Sequence, residues 1–235
     1  MLEIGPGRGH LTLCLAMRAR NVLAVELDGD LLPILRAKLA DCKNCAVIHG
    51  DILKIDLFKA ASRFSGRFKI IGNIPYYLTS ELLIRLLTSG LPFDSLSVMV
   101  QAEAAEKITA FPGKKGYGPL SIYSAFYSKA SVRLMIPAEC FVPPPRVESA
   151  FVRLDMLDEP RVKVTDVVKF FMFIERSFTF RRKTLTNNLL AGTLMTRDVI
   201  IDCIKETGLP SDIRAERMSL EDFAALFLSL SKTQD

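Results

Sequence analysis

Through residues 1–155, short runs of β-branched and aliphatic residues return again and again between stretches of helical period, and that alternation leaves few architectures open. The strand candidates are Leu2–Ile4, Val22–Glu26, Val47–His49, Lys69–Ile71, Leu96–Val100, Val132–Ile136 and Ala150–Leu154. Between them apolar residues recur with the period of a helix, as in Leu32, Leu35, Leu39 and again in Leu82, Leu83, Leu86, Leu87. The second of these helices has Thr79 or Ser80 as N-cap and Gly90 as its stop. A helix between two strands returns the chain to the end of the sheet it left, so such strands run parallel. The expectation is a mainly parallel sheet covered on both faces. The last two strand candidates are joined instead by the turn Val142-Pro143-Pro144-Pro145, and they are expected to pair as an antiparallel edge.

After about Asp158 the pattern changes. Thr165–Phe178, Thr184–Ala191, Thr196–Thr207 and Ser219–Ser231 all read as helices with no strand among them. Ser219-x-x-Asp222 has the spacing of a capping box, and Gly208-Leu209-Pro210 stops the helix before it. Residues 1–157 are therefore expected to form one domain and residues 158–235 a small all-helical one. The glycine-rich turn arrives at residue 5, so the first strand candidate has only three residues against a usual strand of about 5–6. A chain entering in the middle of its own core is expected of a cut sequence or of a start codon assigned too late.

Composition removes several classes of function. No apolar run approaches the roughly 20 residues that cross a bilayer, and no basic-then-apolar leader opens the sequence. The five cysteines are odd in number and scattered, which suits a reducing cytosol better than a disulfide framework. Cys42 and Cys45 form a C-x-x-C, but neither a second pair nor a histidine cluster accompanies them. With His10 and His49 the only histidines, no metal site is expected and histidine-based catalysis is poorly supplied. The net charge of +5 falls entirely within residues 1–155 and tolerates an anionic partner without naming one. The C-terminal part still concentrates Arg181, Arg182 and Lys183 in one run.

Glu3-Ile4-Gly5-Pro6-Gly7-Arg8-Gly9 lies between a strand and a helix starting near His10. Glycines there allow positive φ and close approach of a ligand to the backbone, at the sheet end where open α/β folds bind nucleotide-like molecules. By itself the segment reads equally well as a tight turn, and its spacing departs from the dinucleotide pattern G-x-G-x-x-G, which argues against an oxidoreductase. Two acids strengthen the ligand reading. Glu26 ends the second strand, where a carboxylate accepts from both ribose hydroxyls, although a solvated strand end is the bland alternative. Asp51 ends the third strand, where a carboxylate accepts from an adenine amino group while Ile52 packs on the ring. Three such positions on three successive strands point to an adenosyl cofactor.

Asn73-Ile74-Pro75-Tyr76 follows the fourth strand at the same sheet edge. Asn and Pro also make ordinary turns. The chemical reading is sharper. An aromatic amine is a poor nucleophile because its lone pair is delocalised into the ring. Acceptors on both N–H bonds, the Asn73 side-chain oxygen and the Ile74 carbonyl, favour a tetrahedral nitrogen and aim its lone pair at a methyl carried on a sulfonium. Proline stiffens the turn, and Tyr76 offers a face on which an extruded base stacks, worth about 1–3 kcal/mol. Positioning and electrostatics then carry the reaction without a metal or a nucleophilic side chain.

Taken in order, Glu3–Gly9, Glu26, Asp51 and Asn73–Tyr76 resemble the cofactor and catalytic motifs of the rRNA adenine N6,N6-dimethyltransferases. Within that family the chain looks most like the small-subunit (KsgA) type, which modifies two adjacent adenosines near the 3′ end of small-subunit rRNA. The likeness continues through Gln101–Lys107, Tyr117-Gly118-Pro119-Leu120, Phe141–Ser149, Phe178-x-x-Arg181-Arg182-Lys183-Thr184-Leu185 and Asn188. It implies an α/β fold: a Rossmann-like S-adenosylmethionine-dependent methyltransferase sheet with a small C-terminal all-helical domain for RNA recognition. It further implies that Gly5, Glu26, Asp51 and Asn73 contact S-adenosylmethionine, with Glu3, Gly7, Leu27 and Ile52 shaping the pocket. Asn73 and Tyr76 would hold the target base with Phe141 on its other face, and Arg146, Arg181, Arg182 and Lys183 would meet phosphates. For Phe141 a core role, and for the basic run a solvated helix end, are the alternatives. Members carry a leading segment with a Gln/Asn-Phe-Leu motif that closes over the methionine end of the cofactor, and the sequence given begins after it. The implied partner is small-subunit rRNA or an assembling small ribosomal subunit, met by a cytoplasmic monomer. Two rivals remain: a large-subunit rRNA adenine methylase of the macrolide-resistance type, and a non-catalytic ribosome-assembly or RNA-binding relative.

Overall fold

The computed structural model describes residues 1–191 and 195–233. The chain forms two compact units, residues 1–105 with 129–156 and residues 106–128 with 157–235.

The first unit is built on β1 (Leu2–Ile4), β2 (Val22–Glu26), β3 (Cys45–His49), β4 (Phe68–Asn73), β5 (Phe93–Gln101), β6 (Ser128–Ile136) and β7 (Ser149–Met156), in spatial order β3-β2-β1-β4-β5-β7-β6. The pairs β1–β2, β1–β4, β2–β3 and β4–β5 are parallel, as the helical crossovers require, and β7 runs antiparallel to β5. β6 and β7 lie side by side as expected, with β6 outermost. The helices α1 (His10–Ala16), α2 (Leu32–Lys38), α3 (Leu57–Ala61), α4 (Thr79–Leu87) and α5 (Ala102–Thr109) connect the parallel strands or follow them. Every residue of β1 and β2 is buried, the pattern of strands covered on both faces. Strand order turns back between β1 and β4, which opens a crevice at their carboxyl ends. The two strands meet closely there: a Cβ on Gly72 would stand 3.0 Å from the Ile4 carbonyl oxygen.

α4 begins differently from the expectation. Neither Thr79 nor Ser80 caps it; Thr79 is its first residue and is buried, and the preceding residue is Leu78 with no side-chain cap. A 3₁₀ turn over Tyr76–Leu78 feeds directly into the helix, so the extended residue that a Ser or Thr cap needs never occurs.

The second unit contains α6 (Pro119–Tyr127), α7 (Val167–Ser177), α8 (Leu185–Leu190), α9 (Arg197–Glu206) and α10 (Leu220–Lys232). It reaches further back along the chain than the sequence boundary at 157/158, because residues 106–128 pack in the helical unit. The reason is aromatic: Tyr123 stacks on Phe171 with centroids 3.8 Å apart, and Phe126 meets Phe170 and Phe171. Tyr117 adds a buried hydrogen bond from its hydroxyl to the Met218 carbonyl at 2.7 Å. The four C-terminal helices start where expected to within a few residues, under caps from Asp166, Thr184, Thr196 and Ser219. Ser219 and Asp222 form the anticipated reciprocal box, at 2.8 and 3.0 Å. Gly208, at φ +76°, ends α9 with Leu209 N–H donating to Ile204 O at 3.2 Å. Ser219→Ala removes one arm of the box and is expected to cost about 1 kcal/mol. Thermal unfolding checks this, and an unchanged Tm would show the box to be idle.

No helix among the described residues is long and apolar enough to cross a membrane.

Candidate active site

Gly5, Gly7 and Gly9 all adopt positive φ (+67°, +56° and +75°), so the glycine turn curls back over the end of β1 before α1 starts. Gly5 N–H donates to the Val25 carbonyl at 3.0 Å. A Cβ on Gly5 would stand 3.2 Å from the backbone carbonyl oxygen of Asn73. The glycine turn and the Asn73 motif thus touch backbone to backbone, with no packed side chain between them. At Gly7 a Cβ would meet nothing within 4 Å, so open space borders the turn.

Glu26, buried at the end of β2, holds this turn in place. Its Oε2 accepts from Gly7 N–H and its Oε1 from Asp28 N–H, both at 2.9 Å. An ionised carboxylate has about four acceptor positions, so each oxygen keeps capacity for a hydroxyl donor. Leu27, beside it, is exposed, and its carbonyl lies 3.2 Å from His49 Nε2. Glu3 is buried in β1; burial pushes its carboxyl above the ordinary value, and the neighbouring charge of Glu26 adds to the effect. Glu3 Oε2 makes no hydrogen bond within the described residues, while the neighbouring Thr12 hydroxyl faces the carboxyl and opposes part of the upward shift. An orphaned buried acceptor beside a glycine cradle fits a site that a polar ligand completes.

Asp51 follows β3, which the register places next to β2, with Gly50 N–H donating to Glu26 O at 2.8 Å. Its carboxylate is partly engaged by its own turn: Oδ1 accepts from Leu53 N–H at 2.9 Å and Oδ2 lies 3.5 Å from Lys54 Nζ. Ile52 is buried, only 7% exposed.

Asn73 is the last residue of β4 and is exposed, and its side-chain amide makes no hydrogen bond within the described residues. The turn is anchored on either side of it, by the buried Ile74 and by Leu78 N–H donating to Pro75 O at 2.9 Å. Tyr76 is half-buried, and its hydroxyl lies 2.8 Å from Ser149 Oγ. Phe141, half-buried after the 3₁₀ turn Ala138–Cys140, makes no ring contact with Tyr76, so these two aromatics are not brought face to face. Arg146 is exposed in the same proline-rich segment.

The other expected phosphate contacts belong to the helical unit. Arg181, Arg182 and Lys183 are all exposed. Arg181 also donates to the Tyr117 carbonyl at 3.2 Å, which gives it a structural duty. Buried Asn188 shapes the turn before the run, accepting from Phe180 N–H at 2.9 Å and donating to the Ser177 carbonyl at 2.8 Å.

Among the described residues no three His, Cys, Asp or Glu side chains gather as metal ligands. Burial, with the neighbouring Cys42 thiol, pushes the Cys45 thiol up, away from the thiolate form a reactive cysteine needs.

Comparison with known proteins gives the family and the fold. Residues 1–232 match the family model described as ribosomal RNA adenine dimethylase. The chain is 40% identical over 235 residues to the ribosomal RNA small subunit methyltransferase A of Alkaliphilus oremlandii, covering 99% of this chain and 82% of that protein. The protein of the same name from Streptococcus pneumoniae is 42% identical over 232 residues, covering 96% and 80%. Among solved structures, a dimethyladenosine transferase from Plasmodium falciparum shares the fold with a TM-score of 0.83 at 23% identity, over 99% of this chain and 90% of that one. The 23S rRNA methyltransferase ErmE follows at 0.73 and 26% identity, over 98% and 90%. The seven-stranded sheet is the methyltransferase fold of these proteins, and the chain belongs to the ribosomal RNA adenine dimethylase family.

Proposed function

We propose that this chain transfers methyl groups from S-adenosylmethionine to the N6 of two adjacent adenosines near the 3′ end of small-subunit rRNA, giving N6,N6-dimethyladenosine. It does so in the cytoplasm as a single copy. The observation that carries this reading is the Asn73 amide, exposed and unbonded at the end of β4, whose own backbone lies against the glycine turn. The named relatives at 40% and 42% identity supply the small-subunit target.

When bound, S-adenosylmethionine supplies a methyl group made electrophilic by a positive sulfur. In this reading the turn at Gly5 and Gly7 lets that molecule approach the backbone. Glu26 takes the ribose hydroxyls on its spare acceptor positions, Asp51 takes the adenine amino group, and Leu27 and Ile52 border the ring. Glu3, with its orphaned oxygen, closes the floor. Asn73 Oδ1 and the Ile74 carbonyl accept the two N–H bonds of the target amine and hold its lone pair toward the methyl. Tyr76 stacks on the base, and Phe141 closes on the opposite face when RNA is present. The helical unit is the RNA-recognition part, with Arg182 and Lys183 as free cationic contacts and Arg146 as a further one in the sheet unit.

Undermethylated small and large subunits, each incubated separately with the protein and labelled methyl donor, are the test. N6,N6-dimethyladenosine in small-subunit rRNA, read by nucleoside mass spectrometry, is expected. The same product confined to large-subunit rRNA would transfer the assignment to the class of ErmE, and its absence from both would leave a binding protein. Arg182→Ala with Lys183→Ala spares the Arg181–Tyr117 contact and is expected to lower the slope of log affinity against log salt by about 1–2. An unaltered slope would place the RNA surface elsewhere.

A further inference from the structure

Tyr76 carries a hydroxyl for which the proposed stacking has no use, since phenylalanine would offer the same ring. The partner of that hydroxyl gives it a purpose. Ser149 is fully buried, and its Oγ lies 2.8 Å from the phenol oxygen across 73 residues of sequence. It is the first residue of β7, paired in register with Gln101 at the end of β5. One residue earlier, Glu148 O accepts from Ala102 N–H at 3.0 Å, so the strand start is pinned to the end of β5. The hydroxyl of Ser149 is therefore a fixed point on the rigid sheet. Tyr76, by contrast, sits in a short 3₁₀ turn after an exposed proline. The adjacent Tyr77 is 81% exposed.

We propose that Ser149 is a positioning residue, which fixes the ring of Tyr76 through the phenol–hydroxyl hydrogen bond so that the target base meets a preset stacking face. This rests on the reading of Tyr76 as the base-stacking residue. A ring held only by its backbone must be ordered when RNA arrives, and that ordering weakens docking of the base. Ser149→Ala is expected to lower kcat/KM for rRNA about 3- to 10-fold, the worth of one ordinary hydrogen bond. Affinity for S-adenosylmethionine stays unchanged and Tm falls by no more than about 2–4 °C. Tyr76→Phe should show the same loss. The double variant should be no worse than either single one, because both remove the same bond. Ser149→Thr, which keeps the hydroxyl, should restore most of the rate.

A second measurement does not depend on turnover. In protein labelled with 3-fluorotyrosine, the fluorine resonance missing from Tyr76→Phe belongs to Tyr76, and it should shift and broaden in Ser149→Ala. A resonance unmoved by Ser149→Ala, an undiminished rate in that variant, or losses that add in the double variant would each overturn the tether. Wild-type protein that transfers no methyl to either subunit would instead overturn the functional reading, and the fluorine spectrum would still decide whether Ser149 holds the ring.

Discussion

Asn73→Ala is expected to lower methyl transfer about 100- to 1000-fold, the usual consequence of removing one preorganised polar group from a site that works by electrostatics. The structure isolates the effect well. The Asn73 side chain is exposed and bonded to nothing among the described residues, so alanine breaks no fold contact. The backbone carbonyl that lies against Gly5 is retained in the variant. Melting temperature and RNA affinity should therefore stay near those of the parent while single-turnover methylation collapses. Retention of a near-normal rate would refute the role given to the amide.

Glu26→Ala is expected to act earlier, on cofactor binding. Two charge-assisted hydrogen bonds to ribose, at about 1.5 kcal/mol each, correspond to about a 100-fold loss of S-adenosylmethionine affinity, read by calorimetry. The same carboxylate accepts from Gly7 and Asp28 N–H at 2.9 Å, so the variant also leaves two backbone donors without their acceptor. That should cost a further 1–3 kcal/mol or so of stability, visible in thermal unfolding. The pair of effects distinguishes Glu26 from Asn73, whose loss should spare the fold. Cofactor affinity within a few-fold of the parent would mean that Glu26 serves only as the brace of the glycine turn.

The central strands β1 and β2 were legible in the sequence because they are buried on both faces and read as apolar runs. Where the signal failed, the residues explain it. β6 begins at Ser128, four residues before the expected start, since Ser128-Lys129-Ala130-Ser131 offers no apolar alternation. α6 went unforeseen because Leu120, Ile122, Tyr123 and Phe126 are buried together and leave no polar stripe to mark a helical period. The placement of Gly5, Glu26 and Asn73 at the ends of β1, β2 and β4 was legible, because each residue type follows or closes a run of strand residues. Their supports were not. Nothing in the sequence marks Ser149 as the partner of Tyr76, and nothing distinguishes the buried, turn-forming Asn188 from a surface asparagine. The capping of its own turn by Asp51 is equally silent, because a short acidic side chain after a strand reads the same in either role.

The excursion of residues 106–128 into the helical unit has a consequence for how this protein is made and dissected. The polypeptide enters the second unit, returns for β6 and β7, and leaves again, so no single cut yields both bodies intact. A fragment ending at residue 157 would carry Tyr117, Tyr123 and Phe126 without Phe171 and Phe178, whose rings meet theirs, and should aggregate. During synthesis from the N-terminus, the aromatic residues of α6 emerge before their partners in α7, and must wait for them while β6 and β7 follow.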